Sequence, residues 1–260
     1  WEAFSKALSD IPEAHRANLP LWLDHFDTLW QVYTHAIPHI TPDVSLYDHA
    51  HVTTALAVAL WRYHQAIPAS TLANETEEKF LLVQGDFFGI QDFIFTSGGE
   101  THKRATKLLR GRSFYVSLLM ECAALRILDT LGLPSSSQVI NAAGKFLIVA
   151  PNTQETIEHL QAIQQQFNEW FLTHTFGQSG IGLAGLPAKG SDFSYSNLRN
   201  LMKRLFEQLE TVKLQRYQLC DADAPGVFTG FLDRFDNTKS VCAIDGRSPG
   251  KIKLEDKWIS

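Results

Sequence analysis

The sequence predicts an α+β protein in which a helical segment precedes a ferredoxin-like unit, with strand, helix, strand, strand, helix, strand in that order, and a helical extension follows. Three observations predict it. Apolar residues recur at helical spacing from Leu21 to Tyr63. Four short apolar runs, Phe80 to Val83, Val139 to Ala142, Phe146 to Val149 and Ile181 to Leu186, have strand character. Two long helical stretches separate the first run from the second and the third from the fourth.

Taken in order, Val52, Ala55, Leu56, Ala59, Leu60 and Tyr63 form one stripe of a helix that begins near Leu46, so the first segment reads as all helix. Pro68 and the polar stretch Ala69 to Lys79 break the periodicity and read as a linker. The first strand follows and is closed by Gly85 and Asp86. A helix is expected from about Lys103 to Leu131, apolar nearly all round from Phe114 onward and so well buried, with Cys122 as a small core residue. Ala143, Gly144 and Lys145 then join strands two and three in a tight hairpin. Asn152 with Glu155 resembles a capping box for a helix with the stripe Ile157, Leu160, Ile163, Phe167 and Phe171, ending near Gly177. After the glycine-interrupted fourth strand, Leu198, Leu201, Leu205, Leu209 and Val212 mark one more amphipathic helix.

Composition narrows the function. With 260 residues, 45% of them hydrophobic and 20% charged, the chain can bury a core without disulfides or metals, and it is neither collagen-like nor disordered. A net charge of −5 restricts any phosphate contact to a local basic patch. Cys122, Cys220 and Cys242 are too few and scattered for a disulfide framework and fit a reducing compartment, so a cytoplasmic location is expected. No run of about 18 apolar residues can span a bilayer. The chain opens on Trp1 with no secretory leader, which fits a fragment.

In the expected topology the hairpin turn lies beside the carboxyl end of the first strand, so Asp86 faces Ala143 to Lys145. That is the geometry of a nucleotidyl-transfer palm, in which carboxylates from these two places hold divalent metals on phosphate oxygens. Here the turn offers Gly144 and Lys145 where a catalytic palm offers acids, so this palm is expected to bind without catalysing. Gly85 and Gly89, flanking Asp86, would let a triphosphate approach the backbone. The alternative for Asp86 is a plain helix cap, and for Lys145 an exposed hairpin lysine.

The run Gly85, Asp86, Phe87, Phe88, Gly89, Ile90, Gln91, Asp92, Phe93, followed by Leu109, Arg110, Gly111, Arg112 and Ser113, resembles the first palm of the large, cyclase-like subunit of type III-A (Csm-type) CRISPR effector complexes. Upstream, Ser45, Leu46, Tyr47, Asp48 and His49 with Thr53 and Thr54 are similar to the end of that subunit's histidine-aspartate (HD) nuclease domain. Downstream, Gly144, Lys145 and Phe146 match the family's hairpin, and Cys242 to Gly246 look like a zinc knuckle whose second cysteine has become Asp245. The resemblance divides the chain into an incomplete HD-like segment (1–72), a first palm (76–190), a helical extension (191–218) and a degenerate zinc-knuckle-like segment (219–260).

The resemblance implies a subunit of an antiviral complex that sits at the crRNA 5′ end beside a repeat-associated (RAMP) subunit and a small helical subunit, senses target RNA, cleaves single-stranded DNA and joins ATP into cyclic oligoadenylate. By the same resemblance ATP contacts Gly85, Asp86, Phe87, Phe88, Gly89, Gln91, Gly144 and Lys145. A divalent metal, Mg²⁺ or Mn²⁺, belongs to Asp86 and, for the nuclease, to Asp48 and His49, with His49 catalytic. Neither activity is complete: the Gly-Gly-Asp-Asp turn of the second palm and any His-Asp dipeptide are absent from these residues, so the chain alone is expected to be inactive.

Two rival classes stay open. One is a structural scaffold that grips the crRNA-bearing neighbour without nucleotide, using the basic run His102, Lys103, Arg104, Lys107, Arg110 and Arg112. That run could equally contact nucleotide phosphate or an acidic subunit, or be a solvated helix face. The other is a metal nuclease of the HD type. Tightly bound zinc is not expected, because Cys220, Cys242 and Asp245 supply at most three of the four ligands a closed site needs.

Overall fold

The computed structural model describes residues 1–68, 72–95, 105–142, 144–215, 217, 238–244, 246 and 248–260. In chain order the elements are α1 (Glu2–Ser9), α2 (Glu13–Arg16), α3 (Leu19–Thr34), β1 (Pro38–His39), β2 (Thr41–Ser45), α4 (Leu46–Ala66), β3 (Phe80–Phe88), α5 (Ile90–Phe95), α6 (Ala105–Leu131), β4 (Gln138–Ala142), β5 (Lys145–Pro151), α7 (Gln154–Thr175), β6 (Gly180–Ala188), α8 (Tyr195–Leu214), β7 (Ile252–Leu254) and β8 (Lys257–Ile259).

The main sheet has the order β4-β5-β3-β6, with each neighbouring pair antiparallel. This is the α+β, ferredoxin-like arrangement that the apolar runs predict. β3 lies inside the sheet and is buried along nearly its whole length because both faces are covered. Leu81, Val83 and Phe87 point to one side and share a core with Phe146, Ile148 and Ile181 and with α6 and α7 through Met120, Ile127, Leu160 and Ile163. Phe80 and Leu82 point to the other side, where Leu201, Leu205 and Leu209 of α8 and Ala55 and Ala59 of α4 close over them. A strand covered on both faces reads as a continuous apolar run rather than an alternating one. No helix among the described residues is long and apolar enough to cross a membrane.

Four local expectations are corrected. The first segment is not all helix: β1 and β2 form a small antiparallel hairpin that turns at Ile40 (φ 64°), where Pro38 and Pro42 interrupt any helical ladder. β3 continues past Val83 to Phe88, so Gly85 and Asp86 lie within the strand. α7 is capped by Thr153, whose hydroxyl accepts the Thr156 amide, whereas Asn152 donates to the Glu78 carbonyl. α6 is amphipathic, not buried all round. Val116, Met120, Ala123, Ala124, Ile127 and Leu128 face the sheet, while Phe114, Leu118, Cys122 and Leu125 are exposed on the opposite side. Sheet and α7 cover only one side of this helix, which apolar content alone does not reveal.

α4 joins the helical segment to the sheet. Ser45 caps it, and the small side chains of Ala55 and Ala59, fully buried, let its backbone lie close to the sheet. At its first turns His51 Nε2 donates to the Gln138 carbonyl of β4 (3.0 Å), and its Nδ1 lies 3.5 Å from Asp27 of α3, which also accepts from Tyr47 Oη (3.2 Å). Asp27 holds the His51 imidazolium above its ordinary value of 6.5, against burial that lowers it; the Gln138 carbonyl and the Asp48 charge add to the rise. A group raised on folding contributes stability fully below about pH 6.5 and loses it as pH climbs through the raised value. Thermal stability should therefore fall with rising pH above about 6.5, and His51→Gln should flatten that slope. An unchanged slope in the variant would assign the titration to another group.

Candidate functional site

Antiparallel register places Asp86 of β3 directly opposite Lys145 of β5 on one side and Gly182 of β6 on the other. Side chains at such paired positions share a face of the sheet. Asp86 therefore points to the α8 side, where its residue is 3% exposed. A buried carboxylate needs compensation, and two ammonium groups supply it. Lys213 Nζ, from the last turn of α8, sits 2.5 Å from Asp86 Oδ2, and Lys145 Nζ lies 3.7 Å from the same oxygen. Gly182 lies under the end of α8, where a Cβ would stand 3.3 Å from Val212 Cγ1 and in ordinary contact with Lys213 Cγ at 3.9 Å.

Lys213 is also bonded to Glu210 Oε1 at 2.7 Å. Burial lowers its pKa, but the hydrogen bonds to Asp86 and Glu210 outweigh that and hold the ammonium above its ordinary 10.5. The end of α8 is a favourable place for a cation because the helix macrodipole is negative there. Lys145, with its side chain 44% exposed, lies over the Phe206 ring at 5.6 Å. One buried anion thus fixes two cations, of which Lys145 opens to solvent.

The glycines around this cluster are required by space. A Cβ on Gly89 (φ +78°) would lie 2.3 Å from the Gln178 carbonyl oxygen. Gly144 (φ +86°) turns the β4–β5 hairpin, and its carbonyl accepts the Phe87 amide at 2.9 Å, which ties the turn to β3. Phe87 and Phe88 are 3% and 7% exposed, so their side chains belong to the packing rather than to a ligand surface. Gln91 is exposed on α5, a helix of only six residues.

The sequence-predicted site residues therefore divide. Asp86, Gly144 and Lys145 come together, with Gly85 and Gly89 beside them on or next to β3. Asp48 and His49 lie apart, in the first turn of α4. Asp48 completes the helix cap, its amide and its Oδ2 both bonded to the Ser45 hydroxyl (2.9 and 2.8 Å), and the His49 ring packs 4.3 Å from His39. No third His, Cys, Asp or Glu joins them in a metal-holding group among the described residues. Of the basic run, Lys107 and Arg110 are exposed on α6, Arg112 donates to the Ile94 carbonyl, and His102, Lys103 and Arg104 lie outside the described residues. Cys242 is buried with its thiol accepting the Ile244 amide, while Cys220 and Asp245 lie outside the described residues.

Sequence reasoning missed Lys213. Its only signal was a lysine beside Val212 at the end of the apolar stripe of α8, visible as a partner of Asp86 only once α8 is known to cover the sheet. The donor set around Asp86 does not suit a divalent ion, because one carboxylate stands alone with two ammonium groups on the same oxygen and the nearby Glu210 is already bonded to Lys213.

A separate groove of about 450 Å³ runs along the outer edge of β6 between α7 and α8. Gln164 fills the role of a neighbouring strand there, donating to the Ile181 carbonyl and accepting the Leu183 amide, and Gln208 donates to the Gly185 carbonyl. These amides blunt an open sheet edge. Among the described residues no charged side chain lines the groove.

Fold and site define a palm-type ferredoxin-like domain whose sheet is covered on its second face by helices from either end of the chain. Residues 79–225, more than half of the sequence, match the family described as Csm1 subunit domain B. The chain belongs to the Csm1 family, the large subunit of type III-A CRISPR systems. It is 31% identical over 264 residues to the single-strand-specific deoxyribonuclease Cas10/Csm1 (subtype III-A) of Thermococcus onnurineus, a match that covers 98% of this chain and 31% of that protein. Among solved structures it resembles a Csm1–Csm4 cassette in complex with one ATP (TM-score 0.67, 28% identity, 89% of this chain and 30% of that one). It also resembles a Csm1–Csm4 cassette in complex with cA4 (TM-score 0.66, 30% identity, 82% and 29%). The chain thus spans about a third of the length of these relatives.

Proposed function

We propose that this chain is the ATP-holding, non-catalytic first palm of a type III-A signalling subunit. In the intact protein it pairs with a Gly-Gly-Asp-Asp palm to make cyclic oligoadenylate, and residues beyond this chain complete an HD nuclease for single-stranded DNA around Asp48 and His49. The observation that carries the nucleotide assignment is the pair of ammonium groups, Lys145 and Lys213, fixed by Asp86 beside the Gly144 turn. A triphosphate is a natural ligand for the exposed ammonium of Lys145, which Lys213 leaves available by pairing with Asp86, since charge-assisted hydrogen bonds are about twice as strong as neutral ones. The relatives crystallised with ATP and with cA4 support the reading.

A RAMP subunit of the Csm4 type is the neighbour assigned to this chain, in line with the Csm1–Csm4 cassettes it resembles. The crRNA, the target RNA and the small helical subunit are further partners that the family resemblance implies. One observation favours the scaffold alternative: Phe114, Leu118 and Leu125 form an exposed apolar stripe on α6, with Lys107 and Arg110 exposed at its amino-terminal end.

Calorimetric titration with ATP separates the two. The chain should bind one ATP, and Lys145→Ala, which removes the more exposed cation, should weaken it by about tenfold. Equal binding by both proteins would remove Lys145 from the site, and no binding by either would leave the scaffold. Neither cyclase nor nuclease activity is expected of the chain alone.

A further inference from the structure

Palm carboxylates ordinarily meet phosphate through divalent cations, and Asp86 stands where such a carboxylate stands. We infer that Lys213 replaces the metal ion on Asp86, so that this palm takes the triphosphate of a nucleotide without a divalent cation of its own. The inference rests on the ATP reading given above and adds the residue, and the metal independence, that it leaves unstated.

Geometry carries it. The Lys213 ammonium lies 2.5 Å from Asp86 Oδ2, so it occupies the space in which a cation bound to that oxygen would sit. Lys145 approaches the same oxygen at 3.7 Å. A cation entering here would have to displace the Lys213 ammonium from a site whose two carboxylates are already balanced by two lysines. The arrangement is also built rather than incidental. Glu210 holds the Lys213 ammonium from its other side at 2.7 Å, and burial of Asp86 keeps the ion pair out of competition with water. Two charges of each sign, Asp86 and Glu210 against Lys145 and Lys213, make the site neutral when empty. Swinging Lys145 outward to a phosphate leaves Asp86 paired with Lys213, so the ligand gains a cation and the core keeps its balance. Lys213 is then a positioning residue: it acts through Asp86 and leaves Lys145 available.

Two measurements on the 260-residue chain test this. In the first, ATP affinity is compared in Mg²⁺ and in EDTA. The two values should agree within about threefold, Lys213→Met should lower the EDTA value by about tenfold, and Lys213→Arg should restore it. ATP binding that requires Mg²⁺, or metal-free binding untouched by Lys213→Met, would overturn the inference while leaving the ATP reading in place. In the second, Mn²⁺ uptake without nucleotide is followed by electron paramagnetic resonance. Wild type and Asp86→Asn should be indistinguishable, and one equivalent of Mn²⁺ lost on Asp86→Asn would overturn the inference. Absence of ATP binding in both conditions would instead sink the ATP reading, and the Mn²⁺ comparison would still decide whether Asp86 accepts a metal.

Discussion

Gly85→Ala is expected to destabilise the protein by about 3 kcal/mol, at the upper end of what overpacking a core costs. Gly85 lies within β3 opposite Phe146 of β5, and the Phe146 ring lies across the space where a side chain would stand. A Cβ at position 85 would be 2.1 Å from Phe146 Cζ and 2.4 and 2.7 Å from the two Cε atoms. The ring cannot yield, because Phe146 is 1% exposed and shares its core with Val83, Phe87, Val116 and Met120. Either β3 separates from β5 or the ring leaves its rotamer, and both disturb the strand that carries Asp86. Urea unfolding would measure the loss. The double variant Gly85→Ala/Phe146→Leu should recover part of it, since the smaller side chain removes the overlap, giving a coupling of about 1 kcal/mol or more between the two sites. Additive effects would mean that the clash lies elsewhere.

The same pair shows what a sequence reveals of such a fold and what it hides. Phe80 to Val83 reads as a strand because four consecutive apolar residues closed by Gly85 and Asp86 have few alternatives, and the order of elements then restricts the topology. The proximity of Asp86 to the Gly144 turn follows from that topology. That Gly85 is there for Phe146 does not follow, because the cross-strand register depends on where the hairpin closes to a single residue. Lys213 was harder still. An amphipathic helix after the fourth strand is legible from Leu201, Leu205 and Leu209, but the face of the sheet it covers is a tertiary choice with no local signature. The exposed stripe on α6 failed for the same reason. Phe114, Leu118 and Leu125 have the composition of a core, and only the positions of neighbouring elements decide which apolar residues are covered.

Lys213→Met should cost about 3 kcal/mol, because it leaves a buried charge without its nearest partner. The Asp86 side chain is 4% exposed and cannot turn to water, and Lys145 at 3.7 Å compensates it only in part. Asp86→Asn is expected to be milder, at about 1 kcal/mol. Its amide stays neutral, Lys145 is already 44% exposed and extends into solvent, and Lys213 retains Glu210. The asymmetry distinguishes a site held for its anion from a pair held for its bond energy. Replacing both partners with apolar residues of similar size, as in Asp86→Leu/Lys213→Met, should return stability to within about 1 kcal/mol of wild type, since a buried ion pair contributes little net energy once its desolvation is counted. Chemical denaturation of the three variants would show the ordering. If Lys213→Met costs no more than Asp86→Asn, the carboxylate is not the group whose burial the lysines serve, and the ion pair is a surface contact of α8.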